Sequence, residues 1–372
     1  MIDPQAVRDE FCELVQIDSL SGEEGRIAEV VSGKLGRMGL SVVRDRAGEA
    51  IGGQCGNVIG KLPATDRSLP TIMLNAHLDT VRPGSGVKPV SEGDIIRSSG
   101  ETILGADDKA GLAIILAGLR EIGARQVPHG ELQVVFTIAE EIGLHGARHL
   151  DYSLLSPRYC FVFDGGDEIG ELTVAAPSAK KMTWKVHGVA AHAGVHPEKG
   201  INAIQVAAQA IARMKLGRLD EESTANIGYI SGGIARNIVP ELCQVWGEAR
   251  SHDEGKLAAQ VEHMRTCLTA AVAAYPEARL EEEVQSSYQR FHLSEEEEVV
   301  RVAASAARNL GLPVSCNIGG GGSDANVFNE RGLPALICAC GGANAHTMEE
   351  QVSLSAMAKG VEWVVEMVKV SG

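Results

Sequence analysis

The stretch Gln-Val-Val-Phe-Thr-Ile-Ala-Glu-Glu at residues 133–141 decides the fold. Its first six residues, Gln133–Ile138, are mostly apolar and partly β-branched, and they predict a strand buried on both faces. Further short apolar runs predict strands at Thr71–Leu74, Tyr159–Phe163 and Ala335–Cys338. Lys109–Gly123 lies between the strands Thr71–Leu74 and Gln133–Ile138. It carries apolar residues on one helical face, which predicts a helix. Strands that alternate with helices predict an α/β sheet covered on both faces.

Length and composition restrict the class of protein. The chain has 372 residues, more than the roughly 250–300 at which a single core usually stops growing, so we expect two domains. The net charge of −15 argues against a nucleic-acid partner, which requires a basic surface. We find no signal peptide and no apolar run of about 20 residues that would span a membrane. The eight cysteines form no Cys-x-x-Cys pair, and we expect free thiols in a cytoplasmic protein.

The middle of the chain has a different order of predicted strands and helices. In order they are a strand, a helix, two strands, a helix and a strand, at residues 181–187, 201–216, 225–230, 242–249, 254–275 and 280–284. The order βαββαβ predicts a ferredoxin-like unit that folds on its own. We therefore expect one domain from residues 1–178 and 288–372, interrupted by a second at 179–287.

Two helix starts are predicted near the N-terminus. Asp3 is an N-cap, and Pro4 follows it at the first helical position. Ser21 and Glu24 have the spacing of a capping box for a second helix.

Acids and histidines follow several predicted strands. His77 and Asp79 come just after the strand Thr71–Leu74, and their spacing places both side chains on one side of an extended chain. A histidine that binds metal needs an acceptor for its other ring nitrogen, and Asp79 is placed to provide one. Glu140 and Glu141 follow the strand Gln133–Ile138 at the sheet edge where ligands bind in α/β folds.

Three further residues, Asp107, Asp164 and His346, are candidate metal ligands. Asp107 lies in a glycine-flanked loop before a helix, Asp164 follows the strand Tyr159–Phe163, and His346 lies in a loop beyond Ala335–Cys338. Each residue alone has an ordinary structural explanation, such as a helix cap or a polar strand end. Together, the histidines and carboxylates have the composition of a two-metal site.

These motifs resemble a known family. The sequences that carry the resemblance are Asn75-Ala76-His77-Leu78-Asp79-Thr80, Gly105-Ala106-Asp107-Asp108-Lys109-Ala110-Gly111, Glu140-Glu141-Ile142-Gly143, Gly321-Gly322-Ser323-Asp324 and His346-Thr347. They are similar, in order and spacing over essentially the whole chain, to zinc exopeptidases that include peptidase T, the glutamate-type carboxypeptidases and the aminoacylases. The chain most resembles the peptidase T-like proteins.

The resemblance implies a dinuclear zinc site. His77, Asp107 and Asp164 would hold one ion, and Asp107, Glu141 and His346 the other, with Asp107 as the bridge. Asp79 would orient His77, and Glu140 would be the general base that activates a metal-bridged hydroxide. Cobalt and manganese suit such mixed ligands as well as zinc does.

The resemblance also assigns a role to the inserted domain. The resemblance implies a catalytic zinc-exopeptidase domain that consists of a mixed sheet flanked by helices. The inserted domain would be a ferredoxin-like α+β lid or dimerisation domain. His192, in Ala191-His192-Ala193-Gly194, would reach the active site of the partner in a homodimer and stabilise the oxyanion. Arg236 and Asn237 would contact the substrate from the lid.

The implied activity is hydrolysis of short peptides by a tripeptide aminopeptidase-type enzyme. Two features depart from peptidase T proper: Gly320 stands where that enzyme has an arginine, and only 28 positions separate Asp79 from Asp107. An N-acyl amino-acid amidohydrolase or a carboxypeptidase-type enzyme would use the same metal site, and both remain alternatives. A non-catalytic binding protein on the same fold is a third, although every ligand and the base are present.

Overall fold

The computed structural model describes residues 2–372 and divides them into two compact units. The larger unit contains the residues up to Ala175 together with His292–Gly319 and Ser323–Gly372. The smaller unit contains Ala176–Phe291 and Gly320–Gly322.

The helices and strands follow the chain in a mixed order. The helices are α1 (Pro4–Val15), α2 (Gly25–Arg37), α3 (Ala106–Ala124), α4 (His145–Arg148), α5 (Ala203–Ile211), α6 (Glu254–Ala273), α7 (Glu298–Asn309), α8 (Asp324–Glu330) and α9 (Leu354–Val370). The strands are β1 (Ser41–Arg44), β2 (Val58–Leu62), β3 (Ile72–His77), β4 (Pro89–Glu92), β5 (Ile95–Ser98), β6 (Leu132–Thr137), β7 (Tyr159–Gly165), β8 (Glu171–Ala176), β9 (Ser178–His187), β10 (Gly217–Arg218), β11 (Ser223–Gly232), β12 (Leu242–Ser251), β13 (Arg279–Tyr288), β14 (Phe291–His292), β15 (Ser315–Ile318), β16 (Ala335–Ala339), β17 (Gly342–Ala343) and β18 (Gln351–Ser353).

The main sheet of the larger unit is mixed. Its strands lie in the order β1-β2-β6-β3-β7-β16-β8-β14, and β15 pairs with β8. The central strands β6, β3, β7 and β16 run parallel to one another. The pairs β1–β2, β2–β6 and β16–β8 are antiparallel. Every residue of β3 and β6 is buried, as expected for strands covered on both faces. The predicted α/β fold, a mixed sheet with helices, is confirmed.

Helix packing encloses this sheet. Helices α1, α3, α7 and α9 pack on one another, and α3 also contacts β3 and β7. Helix α2 packs against β1 and β2, and α8 packs against β16. A small antiparallel sheet in the order β17-β18-β5-β4 lies in the same unit.

The smaller unit has the element order β9-α5-β11-β12-α6-β13, with the short strand β10 added before β11. Its strands are antiparallel in the order β10-β11-β12-β9-β13. Helices α5 and α6 cover this sheet with a separate core that includes Trp184, Val206 and Met264. The element order is that of a ferredoxin-like unit. The boundaries at 179 and 287 and the role as a lid or dimerisation domain stay predictions.

One of the two predicted helix caps is wrong. The Asp3 side chain accepts a hydrogen bond from the Gln5 amide at the start of α1, as predicted. Helix α2 begins at Gly25 with no side-chain cap, because Ser21 and Glu24 are engaged elsewhere. Ser21 donates to Asp79, and Glu24 accepts from the amides of Gly22 and Ala139.

The eight cysteines carry free thiols, in agreement with the sequence analysis. Within residues 2–372, no helix is both long enough and apolar enough to cross a membrane. A cytoplasmic location stays a prediction.

Candidate metal centre

The parallel strands deliver polar side chains to one edge of the main sheet. His77 is the last residue of β3, Asp164 is the second-last residue of β7, and Glu140 and Glu141 follow the end of β6. Because β3, β6 and β7 are parallel and adjacent, their carboxyl ends meet at the same edge.

His77 is buried and has a partner at each ring nitrogen. Nδ1 lies 3.0 Å from the main-chain oxygen of Asp79 and 3.5 Å from its Oδ1 atom. Nε2 lies 3.0 Å from Oδ1 of Asp107 and 3.9 Å from Oδ1 of Asp164. The closest acceptor that orients the ring is therefore the Asp79 carbonyl, which leaves Nε2 directed at two carboxylates.

Asp79 is fully buried and joins three parts of the chain. Its carboxylate accepts hydrogen bonds from Ser21 Oγ at 2.6 Å, from the Glu140 amide at 2.9 Å and from the Glu141 amide at 3.2 Å. Burial raises the pKa of this carboxyl, but the hydrogen bonds from His77 and Ser21 outweigh burial and hold the pKa below its ordinary value. Asp79 is thus placed to hold the glutamate pair as well as His77.

Asp107 lies in an irregular first turn of α3, where Asp107 and Asp108 have non-helical backbone angles and the peptide between them is cis. The buried Glu350 carboxylate fixes this turn by accepting from the amides of Gly105 at 2.7 Å and Asp107 at 2.9 Å. Oδ1 of Asp107 contacts His77, and its Oδ2 lies 3.4 Å from Nε2 of His346. The carboxylate therefore lies between two histidines.

His346 and Glu141 form the other side of the centre. His346 follows β17 in the left-handed backbone region, at φ 64°. Its Nε2 lies 2.8 Å from Oε1 of Glu141. Its hydrogen bonds with Asp107 and Glu141 raise the pKa of the imidazole to about 10.

Three overlapping groups of donor atoms emerge among residues 2–372. In each group the atoms lie within 4.8 Å of one another, and the groups are His77 with Asp107 and Asp164, His77 with Glu140 and Glu141, and Asp107 with Glu141 and His346. The structure thus brings together all of the predicted metal ligands and the predicted base.

The electrostatics of the cluster fit a cation. Burial and then the charges of neighbouring carboxylates raise the pKa values of Asp164 and Glu140, although His77 acts in the opposite direction. Acids that destabilise one another when ionised gain from a nearby positive charge. Imidazole nitrogen combined with carboxylate oxygen is a donor set that suits zinc, cobalt and manganese.

Several supporting residues were not predicted from the sequence. Glu350 holds the Asp107 turn, and the buried Asp324 at the start of α8 accepts a hydrogen bond from Thr137 Oγ1, at the end of β6. Asp324 belongs to the quoted Gly321-Gly322-Ser323-Asp324 motif, which was a usable signal. For Glu350 the sequence offers no comparable signal, since it follows another glutamate in a polar loop.

The remaining predicted site residues belong to the smaller unit. His192 is exposed, and its Nδ1 accepts from the Gly194 amide at 3.2 Å. Arg236 and Asn237 are exposed in the loop between β11 and β12. The main-chain oxygen of Asn237 accepts from the Ala193 amide at 3.0 Å, so the segments that carry His192 and Asn237 are adjacent.

The α/β fold and the histidine–carboxylate cluster at its strand ends define the class of this protein, a hydrolase with a candidate metal centre. The chain belongs to peptidase family M20/M25/M40, whose sequence profile matches residues 73–370. It is a peptidase T-like member of that family and acts on peptide bonds.

Three similar proteins support this assignment. An aminopeptidase PepT from Bacillus cereus ATCC 10987 is 40% identical, with 100% of this chain and 99% of that chain covered and a TM-score of 0.87. A tripeptidase from Staphylococcus aureus subsp. aureus mu50 is 39% identical, with coverage of 100% and 99% and a TM-score of 0.92. A peptidase T from Brevibacillus brevis is 28% identical over 408 residues, which cover 96% of this chain and 97% of the relative. The predicted resemblance to the peptidase T-like family is confirmed.

Proposed function

We propose that this peptidase is a zinc-dependent exopeptidase that removes the N-terminal residue from short peptides, tripeptides in particular. The observation that carries the proposal is the Asp107 carboxylate, which lies between His77 and His346 and belongs to two donor groups. The similar tripeptidase and aminopeptidase support the choice of substrate.

The two donor groups suggest how two ions would be held. His77, Asp107 and Asp164 form one candidate set, and Asp107, Glu141 and His346 form the other. Each set combines imidazole and carboxylate and supplies three ligands, so a four-coordinate ion would keep one position for water or substrate, as catalytic metal sites require. A pair of divalent ions supplies Lewis-acid polarisation of the peptide carbonyl and lowers the pKa of the attacking water.

Glu140 is the proposed general base. It is 7% exposed, and burial followed by the charges of nearby acids raises the pKa of its carboxyl. A carboxylate with a raised pKa accepts a proton from water more readily than an ordinary one. Glu140 would take a proton from the attacking water and then deliver it to the nitrogen of the leaving amine.

Replacement of the base tests this mechanism. Glu140→Ala is expected to abolish turnover, with a loss on the order of 100-fold or more from the missing proton transfer. Metal content, measured by inductively coupled plasma mass spectrometry, should stay almost unchanged because Glu141 is retained. Loss of both metals from the variant would contradict the assignment of Glu140 as the base.

A substrate panel tests the proposed activity itself. Dipeptides, tripeptides, N-blocked peptides and N-acyl amino acids are incubated with the zinc-loaded protein, and released amino acids are quantified. We expect release of the N-terminal residue from tripeptides. Activity on acyl amino acids alone would instead indicate an amidohydrolase, release from the C-terminus a carboxypeptidase, and no activity at full metal occupancy a binding protein.

We further propose that residues 179–287 form a lid and dimerisation domain in a cytoplasmic homodimer. His192 would stabilise the oxyanion in the partner's active site, and Arg236 and Asn237 would contact the substrate. The exposure of all three side chains and the adjacency of their segments support this role.

Mixing two inactive variants tests the dimer. A preparation of His192→Ala mixed with Glu140→Ala should recover part of the activity, because a mixed dimer contains one complete site. A fully active monomer in sedimentation velocity, or no recovery on mixing, would contradict the proposal.

A further inference from the structure

The backbone between β6 and α4 carries the glutamate pair and is held by side chains. Where sheet pairing ends after Thr137, four consecutive amides each donate to a buried side-chain oxygen. These hydrogen bonds join Ile138 to Asn57 Oδ1 at 3.1 Å, Ala139 to Glu24 Oε1 at 3.0 Å, Glu140 to Asp79 Oδ1 at 2.9 Å and Glu141 to Asp79 Oδ2 at 3.2 Å. Buried amides need such acceptors, so these side chains replace the missing strand partner.

Glu24 is the least expected of these acceptors. It comes immediately before α2 in sequence, is fully buried, and accepts with one oxygen, Oε1, from both the Gly22 amide at 2.8 Å and the Ala139 amide. The preceding segment is held next to Asp79, because Leu20 pairs with Thr80 in an isolated parallel bridge.

Ala139 is the residue at which a fixed acceptor matters most. It is fully buried and has φ 49°, a left-handed conformation that residues with a Cβ atom rarely adopt. This conformation directly precedes Glu140, so it sets the direction in which Glu140 and Glu141 leave the sheet. The hydrogen bond from the Ala139 amide helps to offset the energetic cost of this conformation, so loss of the acceptor would favour other backbone conformations.

We propose that Glu24 is a positioning residue of the peptidase: by accepting the Ala139 amide, it fixes the backbone from which Glu140 and Glu141 project. The inference rests on the roles proposed above for Glu140 as base and Glu141 as metal ligand. Among the described residues, the hydrogen bonds of Glu24 go to the main-chain amides of Gly22 and Ala139, so its proposed effect on the glutamate pair is exerted through the main chain.

The contacts of Glu24 indicate that this position needs a side chain long enough to reach the Ala139 amide. They do not indicate a need for a negative charge. Its second oxygen, Oε2, is buried without a hydrogen-bond partner among residues 2–372. Burial raises the pKa of the carboxyl, which opposes the charged form. A glutamine has the same length and keeps one acceptor oxygen, whereas an aspartate keeps the charge and is one methylene too short.

The experiment compares Glu24→Gln with Glu24→Asp and Glu24→Ala in the zinc-loaded full chain. We expect Glu24→Gln to keep kcat close to that of the wild type. Glu24→Asp and Glu24→Ala should lose about 10- to 100-fold in kcat or in zinc affinity, the usual cost of removing a residue that orients a metal site. KM for a tripeptide should change far less, because no proposed substrate contact is altered.

Glu10→Ala is the matched control. Glu10 is also a buried glutamate, but its partners are Lys34 at 2.9 Å and Arg120, which lie outside the centre. This control should lower the melting temperature and leave kcat and zinc affinity unchanged. The contrast separates loss of a buried carboxylate in general from loss of the Ala139 contact.

Three results would overturn the inference: wild-type kcat and zinc affinity in Glu24→Asp, an inactive Glu24→Gln beside an active Glu24→Asp, or an equal loss in the Glu10→Ala control. Failure of this inference can also be distinguished from failure of the proposed function. If the wild type hydrolyses no peptide, that function fails, and zinc affinity, measured by competition with a chelating dye, still decides the role of Glu24.

Discussion

At the scale of single residues, the centre is arranged around Asp107. Its two carboxylate oxygens face imidazoles from different parts of the chain, His77 at the end of β3 and His346 beyond β17. Glu350 holds the Asp107 amide, and Asp79 holds the backbone of the glutamate pair. Three of the candidate ligands, His77, Asp107 and Glu141, are thus each held by a buried carboxylate residue, Asp79 or Glu350.

Zinc binding is predicted to release protons. In the metal-free protein, hydrogen bonds to Asp107 and Glu141 raise the pKa of His346 to about 10, so its imidazole is protonated at pH 7. Metal binds the neutral ring, and zinc affinity should therefore increase with pH up to about that pKa. Isothermal titration calorimetry at pH 7, in two buffers of different ionisation enthalpy, measures the number of protons released.

The control for this titration is His346→Ala, which should release fewer protons. Identical apparent enthalpies in both buffers would contradict the predicted protonation of His346.

Individual residues differ in how far the sequence predicted them. His77, Asp164 and the glutamate pair follow recognisable apolar strands, so their proximity could be expected from the rule that parallel strands share an edge. Ser21 and Glu24 could not be assigned correctly, because the spacing of a capping box is the same whether the side chains cap a helix or reach another loop. Only the fold places Ala139 and Asp79 beside them.

At the scale of elements, the close approach of α3 to β7 positions Asp107 next to Asp164. Gly111, in α3, has no room for a side chain: a Cβ atom there would overlap the main-chain oxygen of Phe163 and the carboxylate of Asp108. The missing side chain lets the helix start lie directly against the strand end that carries Asp164.

Gly111→Ala is therefore predicted to lower stability by about 1–3 kcal/mol, the usual cost of overpacking, and to weaken zinc binding. Thermal unfolding and zinc competition measure the two effects. Gly123→Ala on the same helix is the control, because a Cβ atom there meets nothing within 4 Å. That control should raise stability by about 0.5–1 kcal/mol through helix propensity. Equal effects of the two substitutions would contradict the packing argument.

Elements were predicted well where burial dominates and poorly elsewhere. The continuous apolar runs became β3, β6, β7 and β16, with ends shifted by a few residues. The strands of the small sheet β17-β18-β5-β4 were not predicted, because they are short and several of their residues are exposed. Helix α3 was predicted from Lys109, whereas its irregular first turn begins at Ala106. Glu350 stabilises that turn through a contact distant in sequence.

At the scale of the whole molecule, the chain contains two units with separate cores and one candidate metal centre in the larger unit. Similarity to PepT and tripeptidase structures extends over the full chain. The order of motifs along the sequence was enough to predict the family. The preferred peptide was not predictable, because it depends on surface loops whose side chains carry no periodic signal.

The most direct test of the central claim is a zinc titration of the metal-stripped protein, followed by release of the N-terminal residue from a tripeptide. The account predicts that the stripped protein is inactive and that activity reaches its plateau when two zinc ions are bound per chain, as measured by mass spectrometry. Full peptidase activity after exhaustive chelation, or no hydrolysis of any peptide at full zinc occupancy, would contradict it.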